Sequence, residues 1–399
     1  MHILRNIKGD RTIWAIIALL ALFSFIPVYS ASTNLVGVVG KGTTMGYLLK
    51  HVMLLLLGFV IIYATHKIPY RYFSGLSVLL IPVAFVLLLY TLYQGKTISG
   101  ANASRWIHIP FIGIGFQTST LASVVIMMYT ARYFAKNKKK KIAFKESAVQ
   151  LWLPIGALLI LILPANFSTT AIVFFMVLIV AFLGGYPLKY LGLIIISGIA
   201  IFSLFILTAK AFPETFKNTR INTWVARIES FSSPNQETNY QAEKAKLAIA
   251  SGQLYGKGPG KSIQKNFLPQ SSSDFIYAII AEEFGLIGAA SLLILYLGLL
   301  FRIVIVATKN DTVFGTLLVL GVGIPIISKA LINMAVAVGL FPVTGQPLPL
   351  ISAGGTSIWM TCFAIGLILS VSASEEMDTE KRRKKKNDNP LDILYETVG

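Results

Sequence analysis

At 399 residues, 55% hydrophobic and only 13% charged, with a mean hydropathy of +0.71, the chain is too apolar to be a soluble globular domain. A net charge of +18 would suit nucleic acid, but the basic residues cluster at the ends of apolar runs, so a nucleic-acid partner is not expected. The single cysteine, Cys362, precludes an internal disulfide, and His2, His51, His66 and His108 are scattered without metal-site spacing.

Apolar stretches at 12–30, 45–65, 73–93, 117–135, 150–164, 168–185, 189–209, 275–301, 312–338 and 353–373 predict an all-α polytopic membrane protein with about ten transmembrane helices. The basic N-terminus resembles a signal peptide, but its apolar run is longer than the roughly 7–15 residues of such segments, so a retained first helix is expected. With that end in the cytoplasm, 21 of the 35 Lys and Arg fall on the cytoplasmic side, in 1–11, 66–72, 132–149, 186–190, 302–311 and 374–399. Only Lys41, Lys50, Lys96 and Arg105 occupy short external pieces, which predicts cytoplasmic N- and C-termini.

The expected organisation is a membrane domain over 1–373, containing one large extracytoplasmic loop over about 211–274, and a basic cytoplasmic tail over 374–399 that is disordered after Ser374. The runs Lys138 to Lys141 and Lys381 to Lys386 read as anchors against anionic headgroups.

Arg105 and Trp106 make a basic, aromatic edge suited to a headgroup or phosphate. In the large loop, the spacing of Ala242, Ala245, Leu247, Ala248 and Ile249 predicts an amphipathic helix on the membrane surface or against the bundle. Next come Gly252, Gly256, Gly258 and Gly260 with Pro259, an irregular backbone able to approach a ligand closely. Gly260-Lys261-Ser262 is not a nucleotide phosphate loop, because position 255 is Tyr, but Lys257, Lys261 and Lys265 offer charge for a pyrophosphate.

Asp274 follows three serines and precedes a long apolar run. Two readings stand: a carboxylate capping that helix, or a general base or metal ligand at the water interface. Glu282 and Glu283 lie two turns deeper, where an ionised group must face a cavity or a partner, and Lys329 is similarly placed on the next apolar run. Lys329 is therefore expected to pair with Glu282 or Glu283. The segment Phe341 to Ser357 places Pro347, Pro349, Ser352, Gly354 and Gly355 at membrane depth, where irregular backbone is tolerated only if buried or cavity-lining.

In order and spacing, these marks resemble the SEDS family (shape, elongation, division and sporulation), the FtsW/RodA/SpoVE type of peptidoglycan polymerase. The resemblance rests on Gly256 to Gly260 followed by Phe267-Leu-Pro, Asp274-Phe-Ile with Glu282-Glu283-Phe-Gly-Leu-Ile-Gly288, and Pro342-Val-Thr-Gly345 with Pro347-Leu-Pro-Leu-Ile-Ser352 and Gly354-Gly355. Arg105-Trp106-Ile107, Gln117 with Ser119, Arg227 with Phe231 and Pro234, and Asn333 add to it. The chain departs from the family's wording at Ser272-Ser273, at Gln117 to Thr120, at Ala165 to Thr169 and at Ala353.

The resemblance implies polymerisation of lipid II at the outer face of the bacterial cytoplasmic membrane, with Asp274 as the essential residue and a class B penicillin-binding protein as transpeptidase partner, among other divisome proteins. It implies that Asp274 deprotonates a sugar 4-hydroxyl, directly or through a divalent cation such as magnesium or manganese, while Arg105, Trp106, Lys257, Lys261, Lys265 and Ser352 are candidates to bind substrate. Glu282, Glu283, Lys329, Gly256, Gly258, Gly260, Pro347, Pro349, Gly354 and Gly355 are expected to support the groove. A division role is preferred over elongation from the motif wording and the basic tail; a flippase using the same groove, and a scaffold working through the tail, are the rivals.

Overall fold

In this computed structural model the described residues are 8–39, 43–94, 97–98, 101–102, 106–108, 115–138, 140, 142–211, 236–268 and 270–387. Apolar runs become helices because a bilayer core offers backbone polar groups no other partner. Helices α1 (Arg11–Val39), α2 (Thr44–Lys67) and α3 (Arg71–Tyr93) precede two antiparallel ribbons, β1 (Thr97–Ile98) with β2 (Ala101–Asn102) and β3 (Trp106–His108) with β4 (Gly115–Gln117). Then come α4 (Thr118–Asn137), α5 (Phe144–Ile162), α6 (Phe167–Leu183), α7 (Leu188–Ala211), α8 (Gln236–Gly252), α9 (Ile276–Lys309), α10 (Val313–Ala337) and α11 (Ser357–Asn387).

Among the described residues, eight helices are long and apolar enough to cross a bilayer: α1, α2, α3, α5, α7, α9, α10 and α11. The protein is a multi-pass membrane protein. The other two expected spans are also helical but differ in kind. Helix α6 has 17 residues, and α4 carries Thr118, Ser119, Thr120, Ser123 and Thr130 in buried positions. Such polar positions are compatible with α4 because it packs against α3, α5, α6, α10 and α11, and because hydroxyls such as Ser123 and Thr130 bond back to carbonyls one turn earlier.

Small residues set the closest packings, as expected where lipid removes the hydrophobic drive between helices. A Cβ on Gly58 of α2 would stand 2.6 Å from Cys362 Sγ of α11, and one on Gly366 2.6 Å from Thr65 Cβ. Helix α10 lies centrally, touching α4, α6, α8, α9 and α11. The helix expected in the large loop, α8, packs against α9 and α10 rather than on a membrane surface, turning Ala245, Ala248 and Gly252 inward.

One expectation is corrected: the chain after Ser374 is helical as far as Asn387. No proline interrupts it before Pro390, and the stretch from Glu375 to Lys386 is made largely of good helix formers. Residues 212–235, with Arg227, Phe231 and Pro234, lie outside the described residues, as does 388–399.

Candidate active site

Asp274 sits in the tight turn that enters α9, its amide bonded to Gln270 O at 3.1 Å. Gln270 holds φ +61, a left-handed conformation that a non-glycine residue adopts at a cost and that tends to mark functional turns. The cap of α9 is Phe275, so Asp274 stands one residue before the cap. The half-buried Asp274 lines a cavity of about 800 Å³.

The backbone around Asp274 is held from two sides. Asn333 of α10 donates Nδ2 to Asp274 O at 2.9 Å and to Gln346 O at 2.8 Å. Ser352, only 1% exposed, donates Oγ to Ser273 O at 2.6 Å and accepts from Leu348 N at 2.7 Å, while Ala353 N reaches Ser272 O at 2.9 Å. Ser352 lines the cavity, yet its hydroxyl is engaged in fixing the turn. Tyr296 of α9 donates to Pro349 O, and Gln346 Nε2 reaches Thr169 Oγ1 of α6 at 2.9 Å. The irregular segment 341–356 is thus satisfied by side chains of its neighbours, as backbone at membrane depth must be.

Pro347, Pro349, Gly354 and Gly355 all line the cavity. Trp106 joins them, and a Cβ on Gly355 would meet its ring at 3.6 Å. Thr356 ties β4 to this wall, donating Oγ1 to Gly115 O at 2.9 Å and accepting Gln117 N at 3.2 Å. Arg105 lies outside the described residues. The opposite wall is α2, which contributes Tyr47, Lys50 and His51. His51 is 2% exposed, and its Nε2 stands 2.9 Å from Ser24 Oγ. These three were missed in the sequence, where their only signal is a polar pair, Lys50-His51, inside an apolar run. Lower down, Met127, Val173, Met176 and Ile326 make the lining apolar.

Glu282 and Glu283 belong to a separate knot. Helix α9 breaks at Gly285, with φ +66 and ψ −167, and the adjoining loop supplies the hydrogen bonds lost there. Lys257 N and Gly258 N donate to Glu282 O and Glu283 O, each at 2.9 Å, while Leu286 N and Ile287 N donate to Gln253 O and Leu254 O at 2.9 and 3.3 Å. Only glycine fits at the crossing, since a Cβ on Gly256 would lie 2.2 Å from Glu283 O. Gly258 and Gly260 also have positive φ in this loop.

Fully buried Glu282 accepts from Lys257 Nζ at 2.7 Å, Ser262 Oγ at 2.5 Å, Gln264 N at 3.1 Å, Ile263 N at 3.2 Å and Ser251 Oγ at 3.3 Å. Glu283 accepts from Ser30 Oγ and from Ser262 N. Lys265 is buried and donates to Ser30 Oγ at 3.1 Å and to Gly260 O at 2.8 Å; Lys261 is exposed. Lys257, Lys261 and Lys265 do not line the cavity with Asp274.

The expected pairing of Lys329 with Glu282 or Glu283 is corrected. Glu282 takes Lys257 instead, because the break at Gly285 brings the loop against the buried glutamates. Lys329 lines the cavity with Asp274 and, among the described residues, makes no ion pair or side-chain hydrogen bond.

Asp274 is the one carboxylate among the described lining residues, and no group of three or more His, Cys, Asp or Glu able to hold a metal occurs among the described residues. A magnesium or manganese ion fits here only on Asp274 with ligand phosphate oxygens and water completing its shell, a common arrangement for magnesium.

The profile of the FtsW/RodA/SpoVE family, described as "Cell cycle protein", matches residues 10–377. The probable peptidoglycan glycosyltransferase FtsW of Hydrogenovibrio crunogenus is 30% identical over 90% of this chain and 90% of its own. The corresponding protein of Nitrosomonas europaea is 31% identical over 94% and 93%, and that of Enterococcus hirae 31% over 95% and 96%. Among solved structures, a chain from a peptidoglycan synthase complex superposes with a TM-score of 0.71 at 24% identity, covering 91% of this chain and 97% of that one. The rod shape determining protein RodA of Thermus thermophilus gives 0.64 at 24% identity, with 91% and 96% covered, so the fold is shared. With its helices, its clamped Asp274 turn and its match over residues 10–377, the chain belongs to the FtsW/RodA/SpoVE family.

Proposed function

We propose that the protein is a peptidoglycan glycosyltransferase that polymerises lipid II into glycan strands at the outer face of the bacterial cytoplasmic membrane, in the FtsW manner and for septal wall synthesis. The observation that carries this reading is Asp274, fixed by Asn333 and Ser352 at a cavity that is polar around the aspartate and apolar below. That gradient matches an amphiphile with a sugar-phosphate head and a long hydrocarbon tail.

In the proposed reaction Asp274 takes the proton of the acceptor's sugar 4-hydroxyl as its oxygen attacks the donor's anomeric carbon. A new glycosidic bond forms, the anomeric carbon–oxygen bond to the diphosphate breaks, and the polyprenyl diphosphate leaves with the bonding pair. A divalent ion, when bound, supplies charge neutralisation beside Asp274. The basic flanks support cytoplasmic termini and an external Asp274. The likeness to a chain from a complex coordinating polymerization and crosslinking supports a class B penicillin-binding protein as partner, with other divisome proteins around it.

The test is polymerisation of purified lipid II by the protein reconstituted with its transpeptidase. Glycan strands from the native protein and none from Asp274→Ala are expected. Full activity in Asp274→Ala, or lipid movement across vesicles without glycan product, overturns the reading. A fluorescent fusion gathering at midcell supports the septal role; one along the sidewall assigns elongation.

A further inference from the structure

We propose that Lys329 is the residue that takes the diphosphate of the lipid-linked substrate; the inference rests on the polymerase reading and names the cation that serves it. Lys329 lies eight residues before the end of α10 at Ala337, roughly 12 Å along the axis at 1.5 Å per residue. An ammonium at that depth is costly and normally has a partner. The other interior charges are engaged: Glu282 holds Lys257 and Arg302 holds Asp10, while Glu283 accepts from Ser30 and Ser262 N through one oxygen and keeps its other oxygen unbonded among the described residues. Lys329 has no partner among the described residues, and it is half-buried in the wall of the cavity that Asp274 lines.

Position supplies the second argument. Lys329 and Asn333 are four residues apart and share one helix face, and Asn333 grips the carbonyl of Asp274. The stem of Lys329 therefore starts one turn deeper than the residue that fixes the catalytic turn, about 6 Å along the axis. A ligand presenting a sugar to Asp274 and an alkyl chain to Met127 and Met176 carries its diphosphate between the two. There an ammonium with three donors meets phosphate oxygens as a charge-assisted contact, and its attraction grows as the leaving diphosphate gains charge. Lys257, Lys261 and Lys265, the cations first expected to do this, stand outside the cavity.

The experiment measures binding of undecaprenyl diphosphate and of neutral undecaprenol to the full-length protein in nanodiscs. Lys329→Met, whose apolar side chain suits a membrane helix, should weaken the diphosphate roughly 10- to 100-fold, the range for a lost charged hydrogen bond, and leave undecaprenol unchanged. Lys329→Arg should restore most of the affinity. Should Lys329→Met fail to fold, Lys329→Gln carries the same test. Competition by inorganic pyrophosphate separates a site for the free anion from one that needs the attached chain, and either result upholds an anion subsite at Lys329. Equal diphosphate affinity in native protein and Lys329→Met, or a matching loss for undecaprenol, overturns the proposal. Native protein that fails to polymerise but binds diphosphate through Lys329 removes the polymerase reading alone; polymerisation and diphosphate binding both unimpaired in Lys329→Met remove this inference alone.

Discussion

Glu282 should matter far more to stability than the lysine it pairs with. Five donors converge on its carboxylate, which is fully buried. Glu282→Ala strands Ser262 Oγ, Ile263 N and Gln264 N around an empty space. At about 1–3 kcal/mol for each buried donor left unpaired, and allowing for relaxation, the loss is about 3–6 kcal/mol. A typical protein holds only about 5–15 kcal/mol in all. Lys257→Met removes one donor of the five, from a side chain that is 29% exposed, and leaves the carboxylate with four. Its cost should be about 1 kcal/mol, since partial exposure screens the pair. The assay is denaturant unfolding of each variant in a fixed detergent, followed by tryptophan fluorescence, with the double variant to read the coupling. A Lys257→Met loss equal to or larger than that of Glu282→Ala would show that the ion pair, and not the ring of neutral donors, holds the knot, and would refute the reasoning.

Asn333→Ala should lower stability by about 2–3 kcal/mol through its two lost bonds and reduce kcat roughly tenfold or more with KM little changed, because it orients the Asp274 turn; steady-state polymerisation kinetics check it. Gly256→Ala combines φ +82 with a Cβ 2.2 Å from Glu283 O and should cost about 4 kcal/mol or abolish folded yield, read by size-exclusion chromatography. In a Cys362→Ala background, Tyr255→Cys should react with a membrane-impermeant maleimide on intact cells and Lys309→Cys should not; the reverse pattern would invert the proposed orientation.

The helices were legible because a bilayer demands long apolar runs; Asp274 drew notice as a carboxylate at the lip of such a run, but the residues left capping and chemistry both open, and only the resemblance chose between them. What sits opposite what was not legible. Placing Glu282 and Glu283 two turns below Asp274 assumed one continuous helix, whereas α9 begins at Ile276 and breaks at Gly285. That break put Lys257 against Glu282 and left Lys329 to the cavity, neither of which periodicity on a single segment can report. Ser352 shows the same limit: a hydroxyl beside an active turn suggests a ligand contact, but its hydrogen bonds run to Ser273 O and Leu348 N. Lys50 was counted with the short external pieces and His51 with the scattered histidines, because only packing reveals that their helix walls the cavity.

The pairing of Gln253 to Gly258 with the broken turn of α9 also bears on how the chain is made. The loop strand leaves the ribosome before Glu282 to Ile287 do, so its amides and carbonyls must stay hydrated until that later stretch has entered the membrane. The stretch, in turn, cannot rest in lipid with its own backbone open. Docking of the loop and seating of α9 therefore conclude together, and a nascent chain halted between Gly258 and Ile287 holds half of these hydrogen bonds with nothing to close them.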